Sequence, residues 1–270
     1  MQQQKIKILI TGGNGYVARS LTEAFKSVYD VVSVSRKDFD LTNYNDTCNF
    51  LKDKYFDAVI HTAVVGGTRL RVDDSSVLNN NLQMYYNLVA LEDRFGKFIT
   101  FGSGAEITAP WEPYGFSKRI IAESMSRRDR YYNLRIRAVF DENELDTRFI
   151  KGNLLRYINH EPMTIHQNKY MDFFYMEDLI SLVDYYIKTK NPVLQEVDCC
   201  YNYNLTLSEI ANYINTLDEH QVDINIQTDK LASAYVGNYL PVLNPLVGLR
   251  EGINRTYKKL KLQDLTHSTT

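Results

Sequence analysis

Cysteine is scarce: the 270 residues hold three, Cys48 and the neighbours Cys199 and Cys200. An odd number without framework spacing excludes a disulfide-stapled fold, and adjacent cysteines rarely bridge, so a reducing compartment is expected. Cys and His show no metal-ligand spacing, so no metal site is expected. An excess of either charge is also missing. The 31 Lys and Arg against 33 Asp and Glu leave a formal charge of −2, without the basic surplus that nucleic-acid binding requires. No apolar run approaches membrane-spanning length, and the opening MQQQKIKILI is too short in its apolar part for a signal peptide. Linkers, repeats and low-complexity segments are lacking too. These absences point to a cytoplasmic protein with neither a nucleic-acid nor a membrane partner.

What remains is an ordinary globular composition, 44% hydrophobic and 24% charged. The length suits one α/β domain with a substantial core, or a cofactor domain carrying a smaller lobe. The chain is organised around Lys5–Ala18, where the apolar run Ile6–Ile10 stops at Thr11-Gly12-Gly13-Asn14-Gly15. An amphipathic segment follows, with Tyr16, Val17, Leu21 and Phe25 at helical spacing. Strand, glycine turn and helix is the arrangement that holds a dinucleotide pyrophosphate. The glycines let the backbone approach the phosphates, and the helix start offers free N–H groups and a positive dipole end. The pattern is G-x-x-G-x-x-A (Gly12, Gly15, Ala18), with Ala18 keeping the helix close to the strand.

Further strands are expected at Asp30–Ser35, Phe56–Ile60, Lys97–Phe101 and Leu134–Phe140. Helices are expected around Asn45–Lys54, Ser76–Phe95 and Tyr114–Arg128. This alternation implies a doubly wound parallel sheet of Rossmann type. The rhythm then changes. Helices are expected at Arg148–Ile158, Glu177–Thr189, Leu205–Leu217 and Gly248–Leu260, with a short extended piece at Met163–His166. Thr206 and Glu209 form a capping box. The boundary falls near residue 140, giving a dinucleotide-binding domain over 1–140 and a smaller substrate-binding lobe over 141–270.

Tyr114 and Lys118 stand four apart on one helical face, and Ser103 ends the fourth strand. Ligands of open α/β sheets lie beyond such strand ends. A nearby ammonium lowers the pKa of a tyrosine phenol, making it a usable acid, while a serine can hold a substrate carbonyl. Ser103, Tyr114 and Lys118 are therefore the candidate catalytic residues. At the end of the second strand, Ser35 and Arg36 stand where an NAD site carries a carboxylate. A cation there suits the 2′-phosphate of NADP, so NADP(H) is favoured over NAD(H), with Asp40 and Leu41 near the adenine.

Taken together, these motifs resemble the short-chain dehydrogenase/reductase superfamily of the extended type, the NAD-dependent epimerase/dehydratases. Besides the Thr11–Ala18 turn and the Tyr114/Lys118 pair, the likeness rests on Ile60-His61-Thr62-Ala63, Asn81, Leu134-Arg135-Ile136, Phe173–Asp178 and Leu249–Ile253. Ser35–Leu41, Ala63–Gly67 and Phe101-Gly102-Ser103 are most similar to the GDP-L-fucose synthase-like nucleotide-sugar reductases. The resemblance implies an NADPH-dependent reductase of a keto nucleotide sugar, of the 4-keto-6-deoxy kind. It implies cofactor contacts at Thr11, Gly12, Asn14, Gly15, Tyr16, Val17, Ser35, Arg36, Asp40, Leu41, Thr62, Ala63, Val64, Asn81, Phe101 and Val139, besides Tyr114 and Lys118. Substrate contacts are placed at Gly67, Ser103, Lys151, Arg156 and Lys169. A homodimer through the Ser76–Phe95 and Tyr114–Arg128 helices is expected by analogy.

Several residues depart from that branch. Ala105 stands where a cysteine serves C3/C5 epimerisation, and no histidine occurs near Arg148–Ile150. Ser103 is followed by Gly104-Ala105 rather than the Asp-Glu of dehydratases, and Glu106 reads as a surface carboxylate. Epimerisation at C3/C5 and dehydration are thus disfavoured, and simple carbonyl reduction survives. Asn14 and Met171 stand where relatives carry arginines, and only ten residues separate Ser103 from Tyr114. His160 and His166 read as structural or solvated, Tyr131, Tyr132, Tyr201 and Tyr203 as core and strand residues. The alternatives are a 4-epimerase that retains its cofactor and a non-catalytic dinucleotide sensor.

Overall fold

The computed structural model describes residues 5–68, 72–228 and 230–267. The first four residues of the opening segment weighed above as a leader lie outside this range. In chain order the first elements are β1 (Lys7–Thr11), α1 (Tyr16–Phe25), β2 (Asp30–Val34), α2 (Tyr44–Leu51), β3 (Phe56–His61) and α3 (Ser75–Val89). There follow β4 (Phe95–Ser103), α4 (Ala105–Thr108), α5 (Pro113–Met125), β5 (Tyr131–Ile136), β6 (Val139–Phe140), α6 (Phe149–Ile158) and β7 (Met163–Gln167). The last are β8 (Phe174–Tyr175), α7 (Met176–Lys188), β9 (Glu196–Asp198), α8 (Leu207–Ile214), β10 (Ile224–Thr228) and α9 (Leu249–His267). None of the helices among the described residues is long and apolar enough to cross a membrane.

The chain groups into two compact units. One runs to Ile136 and includes Ile180–Asp198; the other comprises Arg137–Leu179 and the residues from Cys199 onward. The first unit is built on a parallel six-stranded sheet in the order β2-β1-β3-β4-β5-β9. Its middle strands are apolar on both faces: Ile8, Leu9, Ile10, Val59, Ile60, Phe98 and Ile99 are fully buried. Such strands need helices on either side, which the βα crossovers supply. Helix α1 buries Ala18, Leu21 and Phe25, one stripe at helical spacing. Strand order reverses between β1 and β3, the switch point beside which open α/β sheets bind ligands.

Three expectations are corrected. The strand read over Leu134–Phe140 is two: β5 ends at Ile136, whose carbonyl accepts from the Gly104 amide, while Val139–Phe140 pairs with β8. The helix read over Ser76–Phe95 stops at Val89, because Phe95 is needed as the buried first residue of β4. Tyr201 and Tyr203 lie in no strand. The Tyr201 hydroxyl instead donates to Asp178 at 2.6 Å and accepts from the Tyr175 amide at 3.1 Å.

The second unit holds the pairs β7/β10 and β6/β8 with helices α6, α8 and α9. The capping box of α8 forms as expected, Thr206 Oγ1 accepting from the Glu209 amide at 3.2 Å and Glu209 accepting from the Thr206 amide at 2.7 Å. His220 stacks on Tyr157 and meets the His160 ring at a tilt of 45°, each centroid 4.2 Å away, and His166 pairs with Gln227.

Candidate active site

The glycine turn is forced by crowding. Gly12 has φ +71°, and a Cβ on it would stand 2.8 Å from the backbone of Ala63. Gly15 is the N-cap of α1 and offers no side chain to the first-turn amides, which no acidic residue neutralises. The helix start is thereby left to bind an anion. Thr11 does not reach this opening. It is fully buried, its hydroxyl bonded to His61 Nδ1 at 2.8 Å and its carbonyl to Thr62 Oγ1 at 2.6 Å, so it fixes the turn from beneath. Burial, with Lys118 nearby, holds His61 neutral by lowering its pKa to about 3.

A cleft of about 410 Å³ opens beside the turn. Gly12, Asn14 and Gly15 line one wall, Ser35, Arg36, Asp40 and Leu41 another, and Thr62, Ala63 and Val64 a third. Val34, Phe39, Val65 and Met84, which the sequence reading did not name as contacts, complete it. Phe39 is stacked on Phe50 with centroids 4.3 Å apart, an arrangement no local pattern announces. Asp38 does not face the cleft as a ribose ligand would. One of its oxygens accepts from both the Ser35 amide (2.7 Å) and hydroxyl (3.0 Å), bonds that lower its pKa. Asp40 is similarly engaged by the amide and hydroxyl of Thr42. Exposed Arg36 is the cation on this wall.

Ser103, Tyr114 and Lys118 all belong to the first unit. Ser103 ends β4 and is buried; its Oγ accepts from the Ala105 amide at 3.2 Å, which leaves the hydroxyl proton to donate elsewhere. Pro113 starts α5, and Gly115 lets that helix close on α4: a Cβ there would meet the Ala109 carbonyl. Lys118 is buried, donates to the Phe101 carbonyl at 2.6 Å, and stands 5.9 Å from the centre of the Tyr114 ring. Burial lowers its pKa to about 8, and Glu106 opposes that fall.

Asn81 bridges this region. Its amide accepts from the Val65 N–H at 2.9 Å, donates to the Val65 carbonyl at 3.0 Å, and donates to Ser117 Oγ at 3.1 Å. It thereby ties the loop after β3 to α5. Gly66 and Gly67, at φ +80° and +71°, continue that loop, and Asp73 accepts from the Gly67 amide at 3.0 Å. Tyr16 and Val17 form the half-buried first turn of α1, and buried Phe101 supplies its carbonyl to Lys118. The other candidates lie in the second unit. Val139 is buried in β6; Lys151 pairs with Asp146 at 2.7 Å; Arg156 lies 3.7 Å from Glu161; Lys169 stands over the Tyr235 ring at 5.5 Å.

Glu106 is not the surface carboxylate expected. It is 5% exposed and paired with Arg135 Nε, because α4 turns it inward against β5. Arg135 also binds Glu196 and, at 2.7 Å, Asp198.

Comparison with known proteins adds a name to this geometry. The profile of the NAD-dependent epimerase/dehydratase family matches residues 8–200. The chain belongs to that family. Relatives include CDP-abequose synthase from Yersinia pseudotuberculosis, 20% identical over 246 residues, 81% of this chain and 87% of that one. GDP-L-fucose synthase from Azorhizobium caulinodans is 35% identical over 86 residues, a local match covering 31% of this chain and 28% of the relative. Among solved structures, the NADP-bound GDP-mannoheptose C4 reductase from Campylobacter jejuni superposes with a TM-score of 0.78 at 15% identity, covering 97% of this chain and 100% of the other.

As a member of this family the chain is an NAD(P)-dependent oxidoreductase, and the cleft fits the group such an enzyme carries. Gly12 has no room for a side chain, and the open start of α1 faces the cleft. The turn and α1 would hold the pyrophosphate, and the wall from Ser35 to Leu41 the adenosine end. When bound, the nicotinamide supplies a hydride.

Proposed function

We propose that the chain is an NADPH-dependent reductase of a keto nucleotide sugar, of the 4-keto-6-deoxy kind, acting without C3/C5 epimerisation. The observation that carries this reading is the buried Lys118 ammonium, fixed on the Phe101 carbonyl and 5.9 Å from the Tyr114 ring. Tyr114 donates the proton to the oxygen of the ketone under reduction. Lys118 stabilises the phenolate left behind, and the Ser103 hydroxyl holds the same oxygen by a hydrogen bond. Arg36 binds the 2′-phosphate, which favours NADPH. With Ala105 and Gly104 after Ser103, no side chain at these two positions can move a proton at the sugar carbons, so reduction remains. The names of the relatives, a CDP-sugar synthase, a GDP-sugar synthase and a GDP-heptose C4 reductase, support a nucleotide sugar as substrate. Of the other candidate contacts, Gly67 and Ser103 belong to the same unit as Tyr114, and Gly67 lies against its ring.

The test is incubation with NADPH and a panel of 4-keto-6-deoxy nucleotide sugars, followed by mass and NMR analysis of the product. Stoichiometric loss of NADPH and a gain of two hydrogens are expected. Tyr114→Phe should lower kcat by about 10²-fold or more while still binding NADPH, and full activity in that variant would defeat the assignment. We also infer a homodimer through α3 and α5, whose exposed Tyr86 and Phe116 suit an apolar contact; a monomeric mass by light scattering would overturn it.

A further inference from the structure

Phe39 meets the cleft with one face already taken. Its ring lies 4.3 Å from that of Phe50 at an interplanar angle of 15°. The Lys54 ammonium stands 3.7 Å from the centre of the Phe50 ring and donates to the Phe50 carbonyl at 2.6 Å. An ammonium and a stacked ring cannot share one face of Phe50, so the order is ammonium, ring, ring. Phe39 is the member of this stack that lines the cleft, and among the described lining residues it is the one aromatic side chain. Val34, Leu41, Val65 and Met84 surround the same space with apolar groups, which suit a planar base and offer nothing to a phosphate. The cation of the wall, Arg36, comes three residues before Phe39.

The segment that carries Phe39 is fixed before a ligand arrives. The amide and hydroxyl of Ser35 donate to Asp38, and those of Thr42 to Asp40. Asn43 caps α2 by accepting from the amides of Asn45 and Asp46, and Asn87 of α3 donates to the Leu41 carbonyl at 2.8 Å. Both rings also pack on the hydrophobic core of the first unit. Phe39 therefore has little freedom to lose on binding, a cost that otherwise offsets part of an aromatic contact.

We infer that Phe39 is the platform on which the adenine of the cofactor stacks, with Phe50 as the positioning residue that holds it from behind. The inference rests on the reading that the wall from Ser35 to Leu41 takes the adenosine end. It is independent of the choice between NADP and NAD and of the sugar. Aromatic pairs favour offset parallel stacking, and a base on the open face of Phe39 continues the arrangement begun by Phe50. Such a contact uses the face of the base and leaves its edge to the polar groups of the wall.

The test uses ADP and 2′,5′-ADP with the whole chain and reads the base directly. In deuterated protein with protonated Phe, Leu and Met, NOEs should run from adenine H2 and H8 to a phenylalanine ring. Both adenine protons should also move upfield on binding. Phe39→Leu keeps an apolar side chain without the ring. Its ring NOEs should vanish, and both ligands should bind about tenfold more weakly by calorimetry. Phe39→Tyr keeps the ring and should restore affinity to within about twofold. Phe50→Leu should weaken both ligands and shrink the upfield shift, whereas a merely structural residue would lower Tm alone. An unchanged shift in Phe50→Leu would remove its positioning role. Parental affinity in Phe39→Leu, or ring NOEs that persist in it, would overturn the inference. Base NOEs to the Leu41 and Met84 methyl groups without any to a phenylalanine ring would overturn the stack and leave the adenosine end at this wall. NOEs to none of the three would overturn both.

Discussion

The Cα of Gly67 lies against the ring of Tyr114: a Cβ built on the glycine would stand 2.6 Å from Cζ and 2.8 Å from Cε2. The phenol therefore rests on a backbone that has no side chain to give way, and at φ +71° the glycine is also in the left-handed region. Gly67→Ala should push the ring from its place and lower kcat by about 10²-fold, the cost of an ångström's misplacement of a reacting group. Binding of NADPH, followed by fluorescence, should be unchanged because the cleft lies elsewhere on the loop. An unaltered kcat would show that the ring does not need this platform.

Arg36→Ala separates the two cofactors. Asp38 is committed to Ser35, and one oxygen of Asp40 to Thr42. Loss of charge-assisted bonds of about 1.5–3 kcal/mol should weaken NADPH by roughly 10- to 100-fold and leave NADH nearly unchanged. Equal losses for both, measured as Kd, would remove Arg36 from the 2′-phosphate site.

His61 makes the first unit sensitive to acid. Its pKa is about 3 in the folded chain against an ordinary 6.5. Below 6.5 the unfolded chain takes up a proton that the folded one refuses, so stability falls as pH drops from about 6.5 toward 3. The slope from this one group reaches at most about 1.4 kcal/mol per pH unit. His61→Gln should flatten the dependence of Tm on pH within that window, and an unchanged slope would place the sensitivity in other groups.

Much of this was legible from local pattern. The apolar run of β1, the glycine turn, and the spacing of Tyr114 and Lys118 are each written within a few residues, and short-range periodicity reports them faithfully. Glu106 was misread for the opposite reason. Its burial depends on Arg135, 29 residues away, and Arg135 in turn on Asp198, a further 63. The same holds for Gly67 against Tyr114, 47 residues apart, while Phe39 meets Phe50 through the loop before α2, where no helical period applies. Strand β9, only three residues long, carries too short a pattern to be read at all.

Lys97 gives a test of stability apart from function. From β4 its ammonium donates to the carbonyls of Tyr186, Ile187 and Thr189 at 2.8, 2.8 and 2.6 Å, at the C-terminal end of α7. Lys97→Met keeps the stem and removes the donors. It should cost about 2 kcal/mol, or roughly 4–8 °C in Tm, with cofactor affinity unaffected. A Tm within a degree of the parent would show that water replaces the ammonium at no loss.

The return of the chain to the first sheet has a practical side. Polypeptide leaves that unit after Ile136, re-enters it at Ile180 and leaves again after Asp198, having laid β9 beside β5. Neither unit is a single stretch of sequence, so neither can be cut out with one pair of scissors. A fragment stopped near residue 140 would lack Ile180–Asp198, bare the hydrogen-bonding edge of β5 and strand Arg135 without two of its carboxylates. Insertions, tags and domain exchanges in this protein are therefore better sited at its exposed loops than at the seam the sequence suggests.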